Sequence, residues 1–483
     1  MDYVKIGLKA GLEIHQQLDP NTGKLFCNCP SYLRKDKPDF EVKRKLHKVA
    51  GETGEIDIAA LYESDLNKEF TYQCYNDTTC LVELDESPPH EINPEALDIA
   101  LQISLLLNCE IVLISQIMRK TVIDGSNTSG FQRTVLIAKD GFIELPSGKV
   151  GIWYVYLEED AARSVSKEKN KATYRLDRLG IPLVEIVTAP DITTPEQAKE
   201  VALHIGEILR ACKVKRGIGT IRQDINVSIK KHPRAEIKGF QDPKIFVKVV
   251  EKEIERQQAN LKAKEKKDLK QEVRGANPDA TTKFLRPLPG HSRMYPETDL
   301  PLLKISRERI NKVKKSLPKL KSDIRDELKK KGLTNELINL VLDNNLDEFE
   351  ILIKVQEKDA NLVAKMITLW RKELATKQKV SLEKIKDLLP ESSLEKILEA
   401  INEKKISKED AKPVMEALTK GKPFQDAIKI EKVSDDEVEE EITKIVKSKP
   451  GLSPNAYMGL VMAKFKGKLD AKKAMQIIGK LVN

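Results

Sequence analysis

The apolar positions change period along the chain. Up to about residue 245 they come in strand-period pieces. Val4-x-Ile6-x-Leu8 alternates, and Leu12 and Ile14 carry the alternation past Gly11. Trp153–Leu157, Ile181–Val187 and Ile221–Ile229 are three further predicted strands. Between the last two lies a clear helix. Thr194 is its predicted N-cap, Pro195 takes the first helical position, and Gln197 completes a capping box. Its stripe is Ala198, Val201, Ala202, Ile205, Ile208, Leu209 and Cys212, which leaves His204 off the buried face. A second helix is predicted from Glu95 to Leu107. Residues 243–272 read as helical, and Pro278, Pro287 and Pro289 then punctuate a turn-rich segment ending at Pro301. From Leu302 onward the period is helical throughout, including a charged helix Asp435–Lys447 and a final pair of short basic helices within Ala456–Asn483. The fold class is therefore α+β: a mixed or antiparallel sheet domain over residues 1–299, an all-α domain over 300–405, and a small helical tail over 406–483.

Composition adds little to this. At 483 residues the chain is too long for one compact core. Its net charge of +9 permits a polyanionic partner without requiring one. No apolar run reaches the roughly 18–20 residues of a membrane span, and the first residues lack a signal-peptide pattern, so a cytoplasmic protein is expected. Six cysteines are too few for a disulfide scaffold.

The candidate chemistry is borne on strands. In Gly11-Leu12-Glu13-Ile14-His15, Glu13 and His15 share one face, roughly 6.5–7 Å apart, while Leu12 and Ile14 share the other. Alone, such a pair reads as plain surface. Leu157-Glu158-Glu159-Asp160 sets three acids side by side; they raise each other's pKa unless a cation intervenes, and the bland reading is a solvated turn. Ile181-Pro182-Leu183-Val184-Glu185-Ile186-Val187 is harder to dismiss. A carboxylate inside an apolar strand needs a Lys, an Arg or a metal, with Arg175 and Arg178 nearby as structural partners. Ile221–Ile229 lays Arg222, Asp224, Asn226 and Ser228 along one face, the floor of a polar site, and Glu236 and Lys238 repeat the idea one strand later. Together these acids, His15, Arg222 and Lys238 suit Mg2+ coordination and phosphoryl transfer. No GxxxxGK[ST] loop is present, which argues against an ordinary P-loop enzyme. The loop Asp124–Gly130 could offer N–H groups and hydroxyls to a phosphate, making Ser126, Asn127, Ser129 and the following Arg133 candidate nucleotide-binding residues; its plainer reading is a hairpin turn. Cys27, Cys29, Cys74 and Cys80 could complete a zinc tetrad, although idle thiols are the default at this spacing. No Ser/His or Cys/His nucleophile stands out, so the chain is not expected to release ammonia from glutamine itself.

At Gly11–His15, Lys24–Cys27, Leu157–Ala162, Asp177–Asp191, Arg222–Ser228 and Asn455–Lys468 the chain resembles the B/E family of tRNA-dependent amidotransferase subunits. Glu13-Ile14-His15-Gln16-Gln17, the run Asp124–Thr134 and Arg293–Asp299 resemble the archaeal E type rather than the B type. The resemblance implies a cradle-shaped catalytic domain, a helical domain and a tail that engages tRNA. It implies a ligase that uses ATP and Mg2+ to phosphorylate the γ-carboxylate of glutamate on tRNA(Gln). Ammonia from an asparaginase-like partner of the D type then yields Gln-tRNA(Gln), in a heterodimer or heterotetramer. By motif, Glu13, His15, Glu158, Glu159 and Glu185 would hold the metals, whereas Arg222, Asp224 and Lys238 enter through the strand reading. Two departures stand out. The direct passage from Val273 to Tyr295 leaves no room for the inserted domain, related to one in aspartyl-tRNA synthetases, that E-type chains usually carry. The zinc knuckle of many B-type chains is only partly present. The alternatives are a B-type chain acting on Asp-tRNA and Glu-tRNA beside an amidase, and a non-catalytic tRNA-binding assembly protein.

Overall fold

The computed structural model describes the chain apart from residues 51–53, 240–242, 264–268, 289–292, 344, 430–434, 466–470 and 483. It divides into two units, Met1–Leu320 and Lys321–Asn483.

The first unit is built on one large sheet. Its strands are β1 (Lys9–Gln17), β2 (Ile117–Thr121), β3 (Phe131–Leu145), β4 (Gly148–Glu159), β5 (Pro182–Thr188), β6 (Ile221–Ser228), β7 (Ala235–Lys238), β8 (Glu272–Ala276), β9 (Thr282–Pro287) and β10 (Met294–Pro296). They run in the order β9-β8-β7-β6-β1-β5-β4-β3-β2-β10, and the short strand Glu110–Ile111 pairs with β3 off this path. Every pair on the path is antiparallel except β7 and β8. Leu12 and Ile14 of β1, Val184 and Ile186 of β5, and Ile225 and Val227 of β6 enter the core. Three helices supply its other wall: α1 (Pro94–Leu106), α2 (Pro195–Ala211) and α3 (Pro243–Lys262). A second, four-stranded sheet of Phe40–Arg44, Glu69–Cys74, Arg163–Lys167 and Lys171–Arg175 has its own small core around Phe70, Tyr72 and Tyr174.

Trp153–Leu157 lies inside a longer strand, Gly148–Glu159, and the other expected strands and helices recur within a residue or two, with four differences. Val4-x-Ile6-x-Leu8 does not extend the first strand. Asp2 accepts a hydrogen bond from the Lys5 N–H and caps one helical turn, Tyr3–Ile6, which Gly7 ends at φ +67°. The box at α2 closes differently: Thr194 accepts from the Gln197 N–H, but the Gln197 side chain reaches the Thr193 N–H, one residue before the cap. Helix α3 stops at Lys262, and Glu272 opens β8 rather than ending a helix. The proline-punctuated segment contributes β9 and β10. Both lie at the sheet's two edges, where a missing N–H costs no ladder bond.

The first unit runs past Pro301 to include the helix Arg307–Lys315, whose Ile310 and Val313 join the core. The second unit is helical. One core spans Ile324 to Ala427, and a smaller one gathers Ile442, Tyr457, Val461, Ala474 and Ile478. Among the described residues no helix is long and apolar enough to cross a membrane.

Candidate active site

Sheet register assembles the site. His15 stands opposite Glu185 on one side and Arg222 on the other; Glu13 stands opposite Asp224. Leu183 pairs with Glu158, and Gln132 with Lys120. Because strand side chains alternate, these positions form a polar row across the face turned away from the helices. The row lines a cavity of about 630 Å3 that also takes in Glu236 and Lys238.

Acids fill the middle of the row and lysines its two ends. Lys120 donates to Glu158 (2.6 Å) and Glu185 (3.1 Å). Lys238 contacts Asp224 and Glu236, each at 2.6 Å. Between them, His15 Nε2 lies 3.6 Å from Glu13 and 3.8 Å from Glu185. Two overlapping donor sets result, Glu13–His15–Asp224 and His15–Glu158–Glu185, each with its ligand atoms within 4.8 Å of one another and His15 common to both. Arg234, Arg286 and Arg293 line the same cavity. Among the described residues Arg286 and Arg293 donate only to the carbonyls of Pro287 and Thr121, and, against burial, their charges help Lys238 hold the Glu236 carboxyl below the usual range.

Burial and crowding set the protonation states. Burial and the nearby Glu185 push Glu13 up to about 8. The same two causes push Glu158 up to about 7. Burial opposes charge on Glu185 too, but Lys120 and His15 outweigh it and hold its carboxyl below the usual range. Burial lowers His15, so its imidazole is neutral near pH 7 and able to ligate a metal. The site thus carries carboxyls that share protons for want of positive charge, which is what a divalent cation would supply.

Of the residues singled out in the sequence, Glu13, His15, Glu158, Glu185, Arg222, Asp224 and Lys238 meet in this cavity. Glu159 does not. As the neighbour of Glu158 on one strand it faces the opposite way, where it is buried against Arg133. Arg133 in turn donates to Glu297 (2.8 Å), which Arg119 also clamps. Arg133 is therefore a structural cation on the far face, not a ligand of this cavity. Ser126, Asn127 and Ser129 lie outside it too. Their loop is the connection of the antiparallel pair β2–β3, and its hydroxyls turn inward: Ser126 Oγ to Asp124, Thr128 Oγ1 to the Glu83 carbonyl, Ser129 Oγ to the Phe131 carbonyl. The loop is a hairpin connection and contributes no residue to this cavity.

Sequence reasoning did not place Lys120, Gln132 or Asp160 in the site. Gln132 donates to Glu158 at 3.1 Å. Asp160 is fully buried and accepts from Gln17 (2.6 Å) and Arg222 (2.9 Å), which fixes Arg222 at the cavity wall.

The thiols also regroup. Cys27, Cys29 and Cys80 cluster with Glu83, their ligand atoms within 4.8 Å of one another. Cys74 is not among them; it is buried with Phe70 and Tyr72 in the small core, its thiol turned to the Tyr72 carbonyl.

The chain's residues 8–311 match the model of the GatB/GatE catalytic domain. It is 37% identical over 634 aligned positions to the E chain of the glutamyl-tRNA(Gln) amidotransferase of Methanocaldococcus jannaschii, covering 99% of each chain. The corresponding E chains of Methanococcus maripaludis and Methanosarcina acetivorans are each 34% identical, over 98% and 100% of this chain and 97% and 98% of theirs. The 634 aligned positions exceed the 483 residues of this chain, so at least 151 of them hold residues of the M. jannaschii protein alone. With both chains spanned end to end, those positions are internal, consistent with the direct passage from Val273 to Tyr295. Matched along its catalytic domain and along its whole length, this chain belongs to the GatB/GatE family of tRNA-dependent amidotransferase subunits.

Proposed function

We propose that the chain is the component that activates glutamate on tRNA(Gln) for amidation. The carrying observation is the row of buried carboxylates and an imidazole, closed at each end by a lysine and bordered by Arg222, Arg286 and Arg293. A triphosphate and a γ-carboxylate are both anions, and their reaction requires charge neutralisation more than covalent help from the protein. The γ-phosphoryl group of ATP passes to a carboxylate oxygen of the esterified glutamate, leaving ADP and an acyl phosphate. Ammonia then attacks the acyl carbon, phosphate departs, and the nitrogen loses a proton as the amide forms. Glu13, His15, Glu158, Glu185 and Asp224 are the residues that would hold Mg2+, and their mainly oxygen donors fit that ion. When bound, it would draw charge from the phosphate oxygens. Arg286 and Arg293 would bind the phosphates, and Arg222, braced by Asp160, would orient the carboxylate.

The ammonia would come from an asparaginase-like partner of the D type, in keeping with relatives named as one component of a larger enzyme. The small helical core near the C-terminus is the proposed tRNA-engaging tail. The whole reading is tested by supplying the chain with glutamate-charged tRNA(Gln), ATP, Mg2+ and ammonium chloride. Gln-tRNA(Gln) should appear with one ADP per amide formed, and none without ATP. Tight tRNA binding with no ATP turnover would instead favour an assembly protein.

We also propose zinc at Cys27, Cys29, Cys80 and Glu83. Three thiols and a carboxylate are a fitting zinc donor set. The neighbouring thiols hold Cys80 well below the usual thiol range, so it would enter as thiolate. Cys80→Ser should strip zinc from the purified protein, measured by metal analysis, while Cys74→Ser retains it. Equal loss from both would reject this set.

A further inference from the structure

The cation nearest the proposed metal site is part of the protein. Lys120 Nζ lies 2.6 Å from Glu158 Oε1 and 3.1 Å from Glu185 Oε2. Those two carboxylates, with His15, make up one of the two donor sets. Lys120 reaches them from β2, near the sheet's edge, and its side chain is only 15% exposed. A divalent ion held by the same oxygens would put a second cation within a few ångströms of the ammonium in a site with little water to screen them, where such repulsion is strong.

We infer that Lys120 is the resident counter-cation of this site and competes with a divalent metal ion for Glu158 and Glu185, so that loading the metal frees its ammonium for the nucleotide's phosphates. The inference rests on the proposed metal reading and deepens it. It explains how two carboxylates stand so close inside an apolar sheet: one ammonium is shared between them. It also makes metal and nucleotide cooperative: the displaced ammonium needs an anionic partner, and the triphosphate is one. Lys238 makes the matching clamp at the other end of the row: it holds Asp224, a member of the other donor set, together with Glu236, which is in neither.

The sign of the expected effect is opposite to that of a merely structural lysine. Removing a structural cation would loosen the carboxylates and weaken metal binding. Removing a competitor strengthens it. Mn2+ alone is titrated calorimetrically into the full chain as wild type, K120M, K120Q and K120R, at about pH 8, where protons compete less for the carboxylates than at neutral pH. K120M and K120Q should bind about tenfold tighter than wild type, the scale on which neighbouring groups move metal affinity. K120R should stay near wild type, since it keeps the charge. Thermal unfolding supplies a second readout: Mn2+ should raise the melting temperature of K120Q more than that of wild type. Unchanged or weaker binding in both neutral variants would overturn the inference. If wild type and every variant bind no Mn2+, the metal reading fails and this inference with it, a result distinct from binding that ignores Lys120.

Discussion

His15→Ala should reduce ATP-dependent amidation of glutamate-charged tRNA(Gln) by about 10²–10³-fold in kcat, on the scale of losing one preorganised electrostatic group. The expectation is larger here than for any single acid, because His15 is common to both donor sets whereas each carboxylate serves one. Its substitution should leave the fold intact. The core-facing neighbours Leu12 and Ile14 stay in place, and the imidazole makes only long contacts of 3.6 and 3.8 Å on the cavity side. Binding of the tRNA should persist, since on the proposed reading only its glutamate-bearing end would enter this cavity. Single-turnover amidation with bound tRNA measured in parallel separates the two effects. Near-normal amidation by His15→Ala would sink the assignment of this cavity as the reaction centre.

Lys24→Met should destabilise the first unit by about 3–5 kcal/mol, the usual penalty for breaking one side of a buried ion pair. Lys24 is fully buried, and its ammonium donates to Glu83 (2.9 Å), the Thr78 carbonyl (2.7 Å) and the Leu176 carbonyl (3.2 Å). Methionine fills the stem's space but takes the cation from buried Glu83, which keeps only the Cys80 N–H and thiol contacts, and leaves the Thr78 carbonyl unmet, while the Leu176 carbonyl still accepts from the Leu179 N–H. The second change, Lys24→Met with Glu83→Gln, should recover part of the loss by removing the stranded charge. Denaturant unfolding of the three proteins measures both steps. A midpoint unchanged in Lys24→Met would mean that water reaches this ammonium and the pair carries no strain.

Much of the site was legible because strands have a fixed period. Glu13 and His15 on one face, and Arg222 and Asp224 on another, follow from alternation alone. The same rule, applied strictly, separates Glu158 from Glu159, whose adjacency forbids a common face. It also separates Cys74 from the other thiols. Phe70-x-Tyr72-x-Cys74 is a strand's buried face, and all three side chains are interior. Glu83 was invisible to a search for thiols, though it lies three residues after Cys80. Lys120 could not be found this way. Ile117-Met118-Arg119-Lys120 reads as a short strand with two surface cations, and only the pairing of β2 with β3 and β3 with β4 carries Lys120 to Glu158. Register between distant strands is a tertiary fact. The partner of Glu185 was sought among the arginines just upstream for the same reason, and lay instead 65 residues away in sequence.

The order of the sheet has a consequence for how the protein is made. Strand β1 leaves the ribosome well ahead of its two neighbours in the sheet, β5 and β6. At synthesis speeds of about 5–20 residues per second, the chain up to Pro182 takes roughly ten to thirty seconds to follow. Throughout that time Leu12 and Ile14, bound for the core, have no sheet to join. Strand pairings this distant in sequence form slowly even in a complete chain. A nascent N-terminal strand with one apolar face and two unpaired edges is the kind of segment that chaperones shield. Glu158 and Glu185 meet as β4 pairs with β5, but Glu13 and His15 join them only when β1 is finally inserted, so no half-made chain carries the full set of the finished one.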